Sequence, residues 1–285
     1  MNIRSCYIHI PFCKRICSYC DFCKLFYDTG YVSFYLEALK SEIEQYYHGE
    51  ELDTLYIGGG TPSSLSISEL EKMFSILSVL KKSSSCEFTI EVNFDSITEE
   101  KIDLFKKSGV NRISFGLETT HPWILEKMGR TLDLDYVRHI ISYCKSVGIT
   151  NINVDLMYAF PDETLQEVEE DIRFILSLDV CHVSTYSLIL EEHTKLYLTG
   201  VKSIPEELDG KMYELICSML SDFCHYEISN FARDDSFSKH NLCYWQNKEY
   251  YGFGLGASGY IGNVRYSNTR SITHYLQRKY RYEEE

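Results

Sequence analysis

Three cysteines have the residue type and the spacing that an iron–sulfur cluster requires. Cys13, Cys17 and Cys20 place three thiols within one short loop, directly after the apolar run Tyr7–Phe12. A [4Fe-4S] cube has four irons, so three cysteine ligands leave one iron open to another molecule. Zinc or free thiols are the alternatives, but a structural zinc site usually needs a second pair of ligands, and no separate Cys-x2-Cys or His-x3-His follows. The spacing therefore favours the cluster.

A fourth cysteine, Cys23, ends the same segment, which is called the cysteine loop below (residues 13–23). Its thiolate could cap the open iron, or it could stay a reduced thiol beside the cluster. We expect the reduced thiol.

Polar and glycine-rich segments follow the later predicted strands. Gly58–Pro62 comes after the second strand, where missing side chains let the backbone approach a ligand, although a tight strand-to-helix turn needs glycines too. Beyond the next three strands come groups that could bind the ribose hydroxyls and the ring edge of a nucleoside. They are Glu91, Asn93, Glu118, Arg130 and Asp155. A single carboxylate in such a place is more often a helix cap, but three on consecutive strands indicate a shared site.

The elements that position these residues alternate between strand and helix. Strands are predicted at residues 5–10, 54–58, 87–92, 112–116, 151–156 and 182–188. Helices are predicted at residues 32–47, 68–80, 99–108, 135–147, 165–178 and 206–223. Six such units predict an α/β fold, a partial (β/α)6 barrel over residues 1–200 with a smaller accessory region over residues 201–285. Functional groups then belong at the carboxyl ends of the strands.

Individual residues predict several helix boundaries. Ser68 and Thr98 are expected to begin helices as N-terminal caps, since a charged or polar first turn follows each. Gly109 and Gly148 are expected to follow the ends of helices.

Composition and charge limit the functional classes. An apolar fraction of 44% over 285 residues is enough for a full core. The net charge of −14 is scattered apart from the run Glu283–Glu285, which argues against a nucleic-acid partner. No signal-peptide pattern and no 18-residue apolar run is present, so the eleven cysteines predict reduced thiols in a cytosolic protein rather than disulfides.

The cysteine loop and the strand before it resemble the radical S-adenosylmethionine (SAM) superfamily. In that superfamily the open iron binds the amino and carboxylate groups of the SAM methionine, and an electron from the cluster generates a 5′-deoxyadenosyl radical. The resemblance implies a [4Fe-4S] cluster on Cys13, Cys17 and Cys20. The residues that it implies as SAM contacts are Tyr7, Phe22, Gly59, Gly60, Thr61, Glu91, Glu118, Arg130 and Asp155.

Further motifs narrow the resemblance to the group that contains oxygen-independent coproporphyrinogen III oxidase and its relatives. They are Tyr7–Cys13, Cys20–Phe22, Arg112–Gly116, Leu125–Arg130, Asn153–Tyr158 and Tyr226–Ala232. The oxidases of this group decarboxylate propionates of coproporphyrinogen III, whereas its heme chaperones, of the HemW type, bind heme. The cluster strand begins near residue 1, as in the chaperones, and Phe22 occupies a position where the oxidases have an additional cysteine.

The segment His240–Trp245, which reads HNLCYW, resembles a motif linked to heme binding in the chaperones. A neutral imidazole is a good axial ligand for heme iron, and aromatic rings offer an apolar face to the macrocycle. Without the resemblance, a loop histidine beside two core aromatics would be the simpler interpretation. With it, His240 is the predicted ligand of the heme iron, and Tyr244 and Trp245 are predicted heme contacts. The glycine run Tyr251–Gly259 is predicted to approach the cysteine loop or the substrate closely.

Two departures from the group's pattern affect these predictions. Glu118 replaces a glutamine, which keeps an acceptor but adds a charge near SAM. The helical C-terminal domain of the group is absent from this sequence, and in the group that domain covers the mouth of the barrel.

The resemblance implies a cytosolic heme-binding chaperone that has a [4Fe-4S] cluster and SAM and delivers heme to recipient hemoproteins, membrane-bound ones included. A homodimer is one assembly that we consider. The alternative is a radical SAM enzyme acting on porphyrins, such as coproporphyrinogen III oxidase (coproporphyrinogen dehydrogenase), so the sequence leaves open whether the protein is an enzyme. A degenerate protein that keeps only the cluster is a third hypothesis.

Overall fold

A nine-stranded, mostly parallel sheet forms the centre of residues 3–281, which are the residues that this computed structural model describes. The acidic run Glu283–Glu285 lies outside the described residues. The strands are β1 (Ser5–Ile10), β2 (Phe12–Cys13), β3 (Leu25–Phe26), β4 (Leu52–Gly59), β5 (Lys82–Asn93), β6 (Arg112–Glu118), β7 (Asn151–Tyr158), β8 (His182–Ser187), β9 (Cys224–Glu227), β10 (Asn230–Ala232), β11 (Tyr251–Phe253), β12 (Ser258–Ile261) and β13 (Val264–Ser267).

Helices connect most of these strands. They are α1 (Thr29–Tyr46), α2 (Ile67–Leu77), α3 (Glu99–Lys107), α4 (Pro122–Met128), α5 (Leu134–Ser146), α6 (Leu165–Ser177), α7 (Lys195–Leu198), α8 (Glu206–Met219), α9 (Lys239–Trp245) and α10 (Ile272–Leu276), and a 3-10 turn covers Pro62–Ser64. Within residues 3–281 no helix combines the length and the apolarity that crossing a membrane would require.

The strand order of the large sheet is β11-β1-β4-β5-β6-β7-β8-β10-β9. Neighbours from β11 to β8 pair in parallel, whereas β10 pairs antiparallel with both β8 and β9. Because β11 and β9 are the two ends of this order, the sheet stays open among the described residues. This confirms the predicted α/β class and open sheet, and the six predicted strand-helix units occur in the predicted order.

The central strands are covered on both faces. Every residue of β6 is buried, as expected for a parallel strand between two layers. Ile113 and Phe115 belong to the main apolar core, while the alternate residue Ser114 accepts a hydrogen bond from Asn153 at 2.7 Å. The strands therefore present apolar residues to the helices and polar residues to the barrel interior.

Capping explains most helix boundaries. The Thr98 hydroxyl accepts a hydrogen bond from the Lys101 N–H and begins α3, as predicted. The prediction for Ser68 was wrong. The helix α2 is capped two residues earlier, by Ser66, which forms a capping box with Glu69. Gly109 and Gly148 follow α3 and α5 with φ of 91° and 80°, in agreement with their predicted role.

A buried carboxylate fixes the C-terminal segment against α1. Glu42 accepts hydrogen bonds from the Gly254 N–H (2.9 Å), the Asn268 amide (2.6 Å) and the Tyr275 hydroxyl (2.6 Å). The three donors come from the residue after β11, from the residue after β13 and from α10. Glu42 thus holds residues 254–275 close to the first strand and its cysteine loop.

Candidate cofactor site at the carboxyl ends of the strands

The cysteine loop begins where β1 ends and is tied to the rest of the chain at several points. The Leu25 N–H donates to the Pro11 carbonyl at 2.7 Å, so the two ends of the loop lie together. In the middle of the loop, the Ser18 N–H donates to the Met128 carbonyl of α4 at 3.0 Å. The loop is therefore a closed turn supported by a neighbouring helix.

The three predicted cluster ligands lie close to one another in this loop. Burial raises the pKa of Cys13 to about 11, a hydrogen bond from Thr61 opposes that rise, and the nearby Cys20 and Cys17 thiols add to it. No three His, Cys, Asp or Glu side chains in the described part of the chain converge as they would on one metal ion. The three ligands of a cube bind three different irons, so they surround the cluster instead of converging on a point. Three thiols in one loop with a closed base fit this requirement.

The glycine segment packs directly against the cysteine loop. A Cβ atom at Gly60 would lie 2.7 Å from the Pro11 carbonyl carbon and 2.9 Å from the Cys13 sulfur. Gly59 has a φ of 118°, and a Cβ atom there would lie 2.8 Å from the His9 ring. Only glycine permits this approach, because no other side chain fits between the two segments.

Glu91 and Asp155 face the interior of the barrel near the same end. Glu91 accepts hydrogen bonds from the Tyr56 hydroxyl (2.7 Å) and the Gly59 N–H (3.1 Å), and burial raises its pKa to about 7. Asp155 accepts one from the Asn153 amide at 2.8 Å, and burial raises its pKa as well. Both carboxylates are thus held by donors and have free acceptor positions for a ligand.

Glu118 and Arg130 form an ion pair at 2.9 Å with little exposure to solvent. Arg130 also donates to the Gly116 carbonyl (2.7 Å) and the Asn93 amide oxygen (3.4 Å), and the Asn93 amide donates to Thr61 at 3.0 Å. Burial raises the pKa of Glu118 to about 7, and the Arg130 charge opposes that rise. The structure therefore joins these predicted residues in one hydrogen-bonded chain that reaches the cysteine loop.

Tyr7 and Phe22 lie beside this group rather than in it. The Tyr7 hydroxyl is 3.0 Å from His9 Nδ1, and the opposite ring nitrogen of His9 is 2.7 Å from the Cys23 carbonyl oxygen. Phe22 is 72% exposed at the tip of the loop. Both side chains line a cleft, described below, and the Tyr7 ring stacks on Tyr56, the residue that donates to Glu91.

His240 lies at the opposite, amino-terminal end of the strands. Its ring nitrogens are 2.8 Å from the Thr54 hydroxyl and 2.7 Å from the Tyr244 hydroxyl, and its ring stacks on Tyr56. Burial lowers the pKa of His240 to about 3, so the imidazole is neutral. Trp245 is more than half exposed. Of the predicted heme residues, Tyr244 lines the same cleft as the predicted SAM residues Tyr7 and Phe22, and the His240 ring centroid lies 6.4 Å from that of Tyr7.

Glu87 explains why the helix of His240 lies at that end. Its carboxylate accepts the backbone N–H groups of Lys239 (3.0 Å) and His240 (3.1 Å), the first two residues of α9. A carboxylate at a helix N-terminus satisfies donors that lack partners within the helix. The contact fixes α9 on β5, where Glu87 is located.

Sequence reasoning missed Tyr56 and His9, which position Glu91 and the cysteine loop. Tyr56 lies two residues before Gly58 in β4, and His9 lies two residues after Tyr7 in β1. Alternation along a strand places each of them on the same face as the predicted residue, and this signal could have identified both.

The chain matches a known family over more than half of its length. Residues 7–175 match the model of the radical SAM superfamily. Over 285 aligned residues the chain is 43% identical to the heme chaperone HemW of Bacillus subtilis (strain 168), covering 96% of this chain and 75% of that protein. The corresponding relatives of Lactococcus lactis subsp. lactis (42%, covering 96% and 74%) and Escherichia coli K12 (30%, covering 97% and 76%) bear the same description.

A solved structure has a closely similar fold. The coproporphyrinogen III oxidase HemN of Escherichia coli, described as a radical SAM enzyme, superposes with a TM-score of 0.86 over 97% of this chain and 69% of that one. The sequence identity is 21%, so the likeness concerns the fold. It agrees with the open, mostly parallel sheet described above.

Proposed function

Because this chain belongs to the radical SAM superfamily and, within it, to the family of the HemW heme chaperones, we propose that it is a cytosolic heme-binding chaperone with a [4Fe-4S] cluster and SAM. The observation on which the proposal rests is the 43% identity to a heme chaperone, sustained over 96% of this chain. The role proposed for it is delivery of heme to recipient hemoproteins by transient contact.

The cluster in this proposal is held by Cys13, Cys17 and Cys20. When bound, the cluster and SAM supply one-electron chemistry. The chain's own contribution is binding and orientation: Gly59 and Gly60 let their backbone pack directly against His9, Pro11 and the cysteine loop, so the backbone groups of the glycine segment lie beside the cluster ligands.

The nucleoside part of SAM has partners near the same end. Glu91 and Asp155 retain acceptor capacity for ribose hydroxyls, because each carboxylate oxygen accepts one of these protein donors and has a second lone pair. Arg130 balances the additional charge of Glu118, so the glutamate can replace the glutamine of related proteins without leaving an unpaired buried anion.

Coordination of heme iron by His240 stays a prediction. In the described conformation it would require the Tyr244 hydroxyl to leave the ring nitrogen, while Thr54 could keep its bond to the other nitrogen. Heme binding by the chain does not depend on this assignment, since heme can take other axial ligands.

An anaerobic heme titration of the cluster-reconstituted protein, followed by the Soret band, tests the proposal. We expect saturable binding near one heme per chain. Absence of binding by the intact protein would overturn the chaperone proposal. Cleavage of SAM with decarboxylation of coproporphyrinogen III in the same preparation would then favour the enzyme.

Iron and sulfide analysis tests the cluster independently. Cys20→Ser should reduce the iron content from about four per chain to near zero, since a cube with two protein ligands is labile. Cys224→Ser is the matched control, because Cys224 is exposed and lies far along the chain from the cysteine loop. Equal iron in both variants would contradict the ligand assignment.

A further inference from the structure

A cleft of about 440 Å³ lies along β1, between the cysteine loop and the C-terminal segment. This volume is in the usual range for small-molecule sites. Its walls include four aromatic rings, one guanidinium and one thiol from distant parts of the chain. These residues are Tyr7, Phe22, Cys23, Tyr244, Tyr250 and Arg270. The cleft is called the aromatic cleft below.

Aromatic rings give the aromatic cleft an apolar surface that is open to a flat ligand. Phe22 and Tyr244 are 72% and 39% exposed, and the Tyr244 ring packs edge-on against Tyr250 at 4.7 Å between centroids. Single exposed rings are normal on a protein surface, but rings grouped along one cleft form an apolar patch of the kind that binds ligands. A conjugated macrocycle is a ligand whose faces such rings contact favourably.

Two polar residues of the aromatic cleft could contact the polar groups of a heme, of which the propionate carboxylates are the main ones. Arg270, which is exposed, donates to the Asp21 carbonyl at 2.7 Å, and a guanidinium pairs well with a carboxylate. Asn268 lines the same cleft, is 99% buried, and its amide oxygen has no hydrogen-bond partner among the described residues. This oxygen is free to accept a hydrogen bond from a ligand in the cleft or from a water molecule.

Cys23 provides the thiol of the aromatic cleft, and a thiol is a group that can bind a heme iron. Gly256 has a φ of 71°, and a Cβ atom there would lie 2.8 Å from the Cys23 sulfur, so the thiol is fixed against the C-terminal segment. Burial raises the pKa of Cys23, while the neighbouring Arg270 charge and its hydrogen bond to the thiol oppose the rise. A guanidinium beside a sulfur stabilises the thiolate form.

Resting on the heme-binding function proposed above, we propose that the aromatic cleft is the docking site of the tetrapyrrole, with the Cys23 sulfur bound to the heme iron and Arg270 paired with a propionate. On binding to ferric iron, the thiol transfers its proton to solvent and the iron–sulfur bond forms, with no change in oxidation state. Under this proposal Cys23 does not bind the open iron of the cluster, and it is more than a reduced thiol beside the cluster. His240, behind Tyr244, is a structural residue in this arrangement.

Titration of the anaerobically reconstituted full chain with ferric heme tests the proposal, with Soret and electron paramagnetic resonance (EPR) spectra as readouts. Cys23→Ser should lose the thiolate signature of the low-spin heme and bind at least about tenfold more weakly, while its iron content stays unchanged. Cys224→Ser is the matched control and should behave as the unsubstituted chain, because its thiol is exposed outside the aromatic cleft.

The propionate contact has its own test. Arg270→Gln should weaken heme binding about tenfold, and Arg270→Lys should restore part of the loss. Heme dimethyl ester, which has no free carboxylate, should bind the intact chain as weakly as heme binds Arg270→Gln, and the two losses should not add. Full additivity, or no loss in either case, would overturn the role of Arg270.

The outcomes separate this inference from the function on which it rests. Saturable binding that is unchanged in Cys23→Ser but lost in His240→Ala overturns the aromatic cleft and leaves the chaperone function standing. Loss of cluster iron in Cys23→Ser assigns Cys23 to the cluster and overturns the inference as well. No heme binding by the intact chain overturns both.

Discussion

The two ends of the barrel differ in how their polar groups are satisfied. At the carboxyl end, Glu91 and Asp155 keep free acceptor positions, and glycines let the backbone pack against the cysteine loop. At the amino end, both nitrogens of His240 have protein partners, and Glu87 accepts the first N–H groups of α9. In the first arrangement the carboxylates have acceptor capacity left for a ligand, whereas in the second each ring nitrogen of His240 already has a partner. A motif shared with a family therefore does not by itself locate a binding site.

The largest effect is expected at the contact between the glycine segment and the cysteine loop. Gly60→Ala introduces a Cβ atom 2.7 Å from the Pro11 backbone and 2.9 Å from the Cys13 sulfur, so the loop must move. Reconstituted iron should fall from about four to less than one per chain. Gly210→Ala is the control, since a Cβ atom there meets nothing within 4 Å and alanine should stabilise α8 by up to about 1 kcal/mol. Full iron in Gly60→Ala would contradict the packing argument.

At the amino end we expect a loss of stability without a loss of cluster. Glu87→Ala leaves the first two N–H groups of α9 without acceptors, the His240 group being buried and the Lys239 group partly buried, and should lower the free energy of unfolding by about 2 kcal/mol in urea titrations. Glu87→Gln should lose less, because one carbonyl oxygen remains. Glu44→Ala, at an exposed helical ion pair, should change stability by less than about 0.5 kcal/mol. If Glu87→Ala instead prevented cluster assembly, the separation of the two ends would be wrong.

The two ends should respond to pH with opposite signs. Burial raises the pKa of Glu91 to about 7, so its contribution to the stability of the cluster-free protein is present in acid and is lost as pH rises through 7. Burial lowers the pKa of His240 to about 3, so its contribution is present above the ordinary pKa of 6.5 and is lost as pH falls below that value. Between pH 5 and pH 7 each amounts to about 2 kcal/mol.

Glu91→Gln and His240→Gln isolate these two contributions. Compared with the unsubstituted chain, the first variant should gain relative stability from pH 5 to pH 7, and the second should lose it over the same interval. The measurement is the urea midpoint at three pH values, with Glu44→Ala as the control that shows neither trend. If the relative stability of both variants changed in the same direction between pH 5 and pH 7, the prediction of opposite pKa shifts for Glu91 and His240 would be wrong.

The smallest effect is expected from Tyr244→Phe. Removing the hydroxyl frees a ring nitrogen of His240 but leaves the aromatic wall of the cleft intact. If the iron binds Cys23, the heme affinity should change by less than about threefold and the spectrum should stay the same. A marked gain in affinity with a histidine-type spectrum would show that His240 is the ligand and that Tyr244 had competed for it.

The sequence was informative where local patterns decide the structure. Periodicity and strand composition predict β1 and the five strands from β4 to β8, because each is a short apolar run next to a longer amphipathic one. The order of these units also predicts that the cysteine loop and the glycine segment lie at the same end of the sheet. The capping error at Ser68 is small, since Ser66 and Ser68 each have a glutamate three residues later (Glu69 and Glu71), and the sequence pattern alone does not choose between them.

Long-range contacts were beyond such reasoning. α9 has seven residues, too few for a helical period, and its place on Glu87 depends on a contact across about 150 positions of the chain. The approach of Gly256 to Cys23 was anticipated only in outline, from the predicted closeness of the glycine run to the cysteine loop, which the structure confirms. Arg270 had no local signal, because a single arginine in a polar segment resembles any surface residue.

The central claim is that the carboxyl end of the barrel holds a three-cysteine cluster with one iron open to SAM. EPR of the reduced, reconstituted protein with and without SAM tests it most directly. We predict that SAM changes the cluster signal in the intact chain and changes it equally in Cys23→Ser. An EPR signal that SAM leaves unchanged in the intact chain and changes only in Cys23→Ser would contradict the claim, since Cys23 would then be bound to the fourth iron.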